Sequence, residues 1–151
     1  MNSARPKVLN TICGKSMLGY ILDAQIESGI GRIIIVCNSE NIDSIKSSTN
    51  KDIEIDYVTQ SEQLGTADAL KVAAKNTSFK DISNLFVFLG DTPLITQSDI
   101  TYLSDSLKSN DILIAAFEAE NPTGYGRIIR DNEGRVCNII EEGDATTEEK
   151  S

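Results

Sequence analysis

The chain has 151 residues, 40% hydrophobic and 25% charged, which is globular usage and about one domain's length. Its 14 basic and 23 acidic residues leave a net charge of −9, which argues against nucleic acid as a partner, because phosphate-backbone binding needs a basic surface. With no His in the chain, zinc sites, His acid–base catalysis, and Ser-His-Asp or Cys-His chemistry are excluded.

Residues 1–22 hold Arg5, Lys7 and Lys15 and no acid, the first carboxylate being Asp23. A local basic segment on an acidic chain suits a small anionic ligand, although chance explains it as well. Gly14-Lys15-Ser16 looks like the end of a P-loop. The first glycine of that motif would be residue 9, which is Leu9, and no strand precedes it, so Lys15 reads as a solvated turn residue. Ser16 reads as the N-cap of a helix whose apolar face is Met17, Leu18, Ile21, Leu22 and Ile26, with Gly29 as its stop.

Ile33 to Cys37 is a continuous apolar run, the pattern of a strand buried on both faces, and Cys37 at its end reads as packing. Asn41 to Lys46 is a short polar helix candidate. Ile53 to Val58 alternates at period two and predicts a strand. Thr66 reads as the cap of a second amphipathic helix through Ala69, Leu70 and Ala73. Leu85 to Leu89 is the most apolar predicted strand. A helix is predicted from about Ser98 to Leu107, and another strand over Ile112 to Phe117. Arg127 to Arg130, a turn at Asp131-Asn132-Glu133-Gly134, and Val136 to Ile140 predict a β-hairpin. The acidic tail from Gly143 is expected to fray.

Strands that alternate with helices predict an α/β fold with a mostly parallel sheet, and no internal boundary argues for two domains. Ligands of such sheets sit beyond the carboxyl ends of the strands, in the loops after Val58, Leu89 and Phe117. Gly90-Asp91 follows a predicted strand directly. Its carboxylate is placed either to hold Mg²⁺ against a ligand phosphate or simply to begin a turn before Pro93. Gln63-Leu64-Gly65-Thr66-Ala67 opens a helix, where a glycine lets the backbone approach a ligand and free N–H groups bind an anion or a polar ring; a plain capped turn is the other reading. Pro122-Thr123-Gly124-Tyr125-Gly126-Arg127 is either a backbone shaped around a ligand or a hairpin entry. Glu141 and Glu142 read as a solvated pair unless one reaches a sugar hydroxyl. The sequon Asn76-Thr77-Ser78 carries no meaning in a chain without a secretory signal. Three widely spaced cysteines, no C-x-x-C, no signal and no run near the ~18 apolar residues of a membrane span lead to the expectation of a reduced, cytoplasmic protein.

Taken in order, Pro6-Lys7-Val8-Leu9, Gln63 to Ala67, Leu89-Gly90-Asp91-Thr92-Pro93-Leu94, Pro122 to Ile128 and Ile140-Glu141 resemble the uridylyltransferase (pyrophosphorylase) domain of the bacterial bifunctional GlmU family, from about Pro6 to Thr146. The resemblance implies a Rossmann-like α/β/α nucleotidyltransferase core with a C-terminal β-hairpin. The implied reaction is Mg²⁺-dependent uridylyl transfer from UTP to N-acetylglucosamine 1-phosphate, giving UDP-N-acetylglucosamine, a cell-wall precursor, and pyrophosphate. The resemblance also implies roles. Lys7 would neutralise the nucleotide phosphates, and Gln60 with Gly65 and Thr66 would read the uracil edge. Asp91 would bind Mg²⁺ with Gly90 beside the ribose, and Gly126 and Glu141 would contact the N-acetylglucosamine.

The family opens with a buried strand and an L-A-A-G-x-G-T-R-M loop, and Met1 falls where that motif's Met would be. The expectation is therefore one incomplete nucleotidyltransferase domain over 1–151, lacking that strand and loop and a later Asn that is the second Mg²⁺ ligand. It would also lack the acetyltransferase β-helix through which the full-length protein trimerises. The same fold acting on another nucleotide or sugar phosphate, and a non-catalytic nucleotide-binding remnant, are the alternatives.

Overall fold

A computed structural model describes residues 5–49, 53–62, 64–80 and 82–150. The chain forms two compact units, Met1–Leu113 and Ile114–Ser151.

The first unit opens with a 3-10 turn at Lys7–Leu9, closed by Leu9 N–H donating to Pro6 O at 2.9 Å and Asn10 N–H donating to Lys7 O at 3.0 Å. A two-residue hairpin follows, β1 (Thr11–Ile12) against β2 (Lys15–Ser16). Its turn places Cys13 at φ 49° and Gly14 at φ 85°, the paired positive angles that match the twist of the two strands. The Gly14-Lys15-Ser16 stretch is thus spent on a hairpin rather than a phosphate loop.

Helix α1 (Met17–Glu27) begins as expected, with Ser16 Oγ accepting from Gly19 N–H at 3.0 Å. It ends in a paired closure: Ile30 N–H reaches back to Gln25 O and Gly29 N–H to Ile26 O, which requires the left-handed backbone of Gly29 at φ 74°. Leu18, Ile21 and Leu22 are buried at helical spacing. Leu9, Leu18, Leu22, Ile33 and Ile45 form one cluster, against which Val8, Ile26, Ile35 and Tyr57 pack.

Strand β3 (Ile33–Cys37) leads into α2 (Ile42–Ser48) and then β4 (Ile55–Thr59). β3 and β4 pair in parallel, Ile33 opposite Ile55 through Cys37 opposite Thr59. β3 is not buried on both faces: only Ile33 is fully covered, because β4 is its sole ladder partner among the described residues. Leu85 to Leu89 is not a strand. Its side chains still alternate, with Phe86 and Phe88 stacked at 6.1 Å and Leu85, Val87 and Leu89 43%, 52% and 53% exposed, but no described backbone group pairs with its N–H groups. An apolar run becomes a strand only where another backbone satisfies it. Ile112 to Phe117 likewise enters no ladder.

Helix α3 (Thr66–Asn76) is capped by Gly65 rather than Thr66, which is its first helical residue. Helix α4 (Gln97–Leu107) starts one residue before the predicted Ser98, because Thr96 and Asp99 form a reciprocal capping box. Those bonds from Thr96 hold the Asp99 carboxyl below the usual carboxylate range. A lowered folded-state value means the contribution is present above the unfolded-state value and lost as pH falls through the folded one. In an NMR titration Asp99 is expected to titrate below the ordinary carboxylate range and the α4 amides to shift with it; titration within that range would contradict the box.

The second unit is built on the predicted hairpin, β5 (Arg127–Arg130) against β6 (Val136–Ile140), with Arg127 opposite Ile140 and a bulge between Ile129 and Arg130. Its turn closes through Asp131, whose Oδ1 accepts from Glu133 and Arg135 N–H at 2.9 and 3.0 Å, with Gly134 at φ 79°. The tail does not fray: Thr146 and Glu149 cap a turn and Ala145 is buried. No helix among the described residues is long and apolar enough to cross a membrane.

Candidate functional site

Three predicted site segments meet in the first unit. Past the carboxyl end of β4, Gln60 N–H donates to Cys37 O at 2.8 Å, which extends the ladder by one residue and fixes the backbone there. Its side chain is folded inward, 9% exposed, with Nε2 donating to Asp68 Oδ2 at 2.7 Å. Gly65 holds φ 94°, a left-handed conformation that a side chain would strain, and turns the chain into α3. Gln63 lies outside the described residues.

The third segment is Leu89-Gly90-Asp91-Thr92. Thr92 donates both its N–H and its Oγ to Leu89 O, at 3.3 and 2.7 Å, a tight turn that presents Asp91 outward. Lys7 Nζ donates to Asp91 Oδ2 at 2.7 Å, with the side chains 74% and 35% exposed, so this is an accessible ion pair and not a buried one. Gly90, Gln60, Gly65 and Thr66 line one cavity of about 1060 Å³, which also takes in β3 and the Leu85–Leu89 run. Cys37 is on its wall; burial pushes that thiol above its ordinary range, with Lys46 pulling it partly back.

A Cβ on Gly90 would stand 3.0 Å from Val8 Cγ1. The 3-10 turn thus rests directly on the glycine, which is what brings Lys7 onto Asp91. Gly90→Ala is expected to lose about 1–2 kcal/mol of stability through overpacking, and Gly90→Ala with Val8→Ala to recover most of it. Equal urea midpoints for the single and double variants would contradict that contact.

Lys15 is not a second free cation for this site. It pairs with Asp23 on α1 and its Nζ lies 4.7 Å over the Tyr20 ring. The basic character of the first 22 residues is therefore divided, with Lys7 left toward Asp91.

In the second unit, a Cβ on Gly126 would meet Ile140 O at 3.3 Å and Glu141 Oε2 at 3.7 Å, so this glycine lets the loop lie against the end of β6. Glu141 and Glu142 are not equivalent. Glu142 accepts from Gly124 N–H and faces the Arg127 guanidinium at 3.6 Å, while Glu141 makes no side-chain bond to a described residue. Arg127 also donates to Pro122 O at 2.9 Å and to Tyr125 O, and Phe117 meets Tyr125 edge to face at 5.1 Å. Arg127 and Glu142, which tie down the PTGYGR loop, were not among the predicted site residues. Arg–Glu spacing across a predicted hairpin was the available signal.

Among the described residues no three carboxylates or thiols gather as a metal cage. Mg²⁺ does not need one. It is commonly held by one or two carboxylates plus substrate phosphates and keeps several waters, and a single exposed oxygen donor such as Asp91 fits that use.

An α/β unit has here a parallel pair, a cavity that runs along β3 from its amino end to Gln60 past its carboxyl end, and a Lys–Asp pair next in sequence to the lining residue Gly90. Residues 2–148 match the Nucleotidyl transferase family. The chain belongs to that family. It is 37% identical over 153 aligned residues to the bifunctional protein GlmU of Thermoanaerobacter pseudethanolicus, covering 100% of this chain and 32% of that protein. To GlmU of Staphylococcus saprophyticus it is 39% identical over 152 residues, covering 99% of this chain and 33% of the relative. The chain thus spans about a third of the length of these curated relatives. Among solved structures, HddC from Yersinia pseudotuberculosis complexed with GMP-PN superimposes with a TM-score of 0.67 at 27% identity, over 90% of this chain and 60% of that one. The expected fold class, a mixed α/β nucleotidyltransferase domain with a parallel pair and a C-terminal antiparallel hairpin, holds.

Proposed function

We propose that this nucleotidyltransferase chain serves uridylyl transfer from UTP to N-acetylglucosamine 1-phosphate, yielding UDP-N-acetylglucosamine for cell-wall precursor synthesis, and pyrophosphate. The observation that carries the reading is the convergence of Gln60, Gly65, Thr66 and Gly90 on one cavity, with Asp91 next in sequence and paired to Lys7. The likeness to GlmU supports the choice of substrates.

In this reading the sugar's phosphate oxygen attacks the α-phosphorus of UTP. A new P–O bond forms as the α–β bridging bond breaks, and pyrophosphate leaves. The attacking phosphate monoester is largely ionised near neutral pH, with a second pKa of about 6, so no strong protein base is needed. That accords with a chain containing no His. What remains is positioning and charge neutralisation. Lys7 exchanges its partner Asp91 for the nucleotide phosphates, as a compact point charge. Asp91, so released, would hold Mg²⁺, which when bound offsets charge on the phosphates. Gln60 and the Gly65–Thr66 turn take the uracil, and Gly90 lies beside the ribose. Gly126 and Glu141 take the N-acetylglucosamine, Glu141 having a carboxylate that bonds to no described residue and is left for a hydroxyl.

The test is pyrophosphate release from UTP and N-acetylglucosamine 1-phosphate with Mg²⁺. Release above an Asp91→Ala control is expected, and release equal to it would refute the reading. A second reading is nucleotide binding without turnover, since among the described residues Asp91 belongs to no group of three or more potential metal ligands. Calorimetry showing UTP binding with no release would decide for it. A different base is raised by the GMP-PN complex of HddC, and competition among UTP, CTP and GTP separates the three.

A further inference from the structure

We propose that Asp68 is a positioning residue that sets base preference by fixing which end of the Gln60 amide faces the cavity; this rests on the reading of Gln60 as the base-contacting residue. Gln60 is held at two points. Its backbone N–H is fixed to Cys37 O at 2.8 Å, and its Nε2 donates to Asp68 Oδ2 at 2.7 Å. Asp68 lies in the first turn of α3, three residues after Gly65. Gln60 lines the cavity and Asp68 does not, so the carboxylate stands behind the amide.

An amide side chain alone is ambiguous, because a half-turn exchanges donor for acceptor. An ionised carboxylate removes the ambiguity, since it accepts and never donates. Turning the Gln60 amide over would set Oε1 against Oδ2 at about the present 2.7 Å, lone pairs facing lone pairs. The Nε2 end is therefore committed to Asp68, and Oε1, which accepts from no described donor, is the end left for a ligand.

A pyrimidine meeting that oxygen must bring a donor. Uracil presents a ring N–H between two carbonyl groups. Cytosine presents a bare ring nitrogen at the same place and would oppose acceptor to acceptor. The locked amide thus selects uracil over cytosine without any direct contact between Asp68 and the base.

Asp68→Asn keeps size and shape but can donate as well as accept, so both amide orientations of Gln60 become satisfied. Dissociation constants for UTP and CTP with Mg²⁺, measured by calorimetry on the 151-residue chain, test the lock. The parent chain is expected to prefer UTP by about tenfold or more, the usual size of one well-made base contact. Asp68→Asn is expected to lose most of that ratio, and Asp68→Glu to restore part of it. A helix-stabilising role alone would lower thermal stability in Asp68→Asn and leave the ratio untouched. An unchanged ratio with Gln60→Ala still weakening UTP overturns the lock and spares the base-reading role of Gln60. Failure of the parent chain to bind either nucleotide overturns both. Independently of any variant, the Gln60 side-chain amide protons are expected to exchange slowly in NMR, and random-coil exchange would overturn the lock.

Discussion

Asp91→Ala is expected to lower pyrophosphate release from UTP and N-acetylglucosamine 1-phosphate by roughly 10³-fold, the usual cost of removing one group that stabilises charge in a transition state. The loss falls on the Mg²⁺-dependent part. Lys7 sits 2.7 Å from Asp91, so the variant removes the cation's resting partner together with the metal's oxygen donor. Nucleotide affinity without Mg²⁺ should then hold or rise, because Lys7 is already released. Calorimetry with and without Mg²⁺ separates the two effects. If UTP affinity falls equally in both conditions, Asp91 acts as a structural partner of Lys7 and not as a metal ligand. The pair is substantially exposed, so the variant is not expected to cost much stability.

Leu22→Ala carries the largest expected effect on folding, a loss of about 3 kcal/mol. Leu22 is 1% exposed and belongs to the cluster of Leu9, Leu18, Ile33 and Ile45, where α1 meets β3 and the 3-10 turn. Removing its branched end leaves a void, because Ile33 is tied to the β3–β4 ladder and Leu9 to its turn, so neither can collapse freely. Against a total of about 5–15 kcal/mol for ordinary domains, that loss should move the urea midpoint far down. The cluster also supports Val8, the contact beneath Gly90, so activity should fall along with stability. A shift below about 1 kcal/mol would mean that α1 is not anchored as described.

Local signals were the readable part of the sequence. Ser16 and Gly29 bound α1 because capping chemistry lies within a few residues of the helix ends, and Asp131 to Gly134 turned the hairpin for the same reason. Ile33 to Cys37 as an apolar run and Ile53 to Val58 as an alternating one were readable as strands, whereas their register, Ile33 against Ile55, is non-local and was not. Leu85 to Leu89 misled because hydrophobicity states what a segment would bury and not whether a neighbour is in place to pair with it. Thr66 misled because a hydroxyl is a good cap, while the sharp turn at that point needed the positive φ of Gly65. The family resemblance pointed to Lys7, Gln60, Gly65 and Asp91, and the fold brings Gln60 and Gly65 to one cavity and Lys7 onto Asp91. The resemblance did not point to Asp68, Glu142 or Arg127, since each bonds to a partner 5 to 18 positions away that only the folded chain brings close.

The extended run beside β3 has a consequence for how the cavity wall breathes. Amides of Leu85 to Leu89 have no carbonyl among the described residues to shelter them, whereas those of β3 and β4 are tied to each other. Deuterium should therefore enter one wall in the first seconds of labelling and the other only when the parallel pair opens. Gly90 and Asp91 hang from the fast-labelling wall and Gln60 from the slow one, so a bound nucleotide would bridge two regions of unequal stiffness and slow the exchange of the looser one.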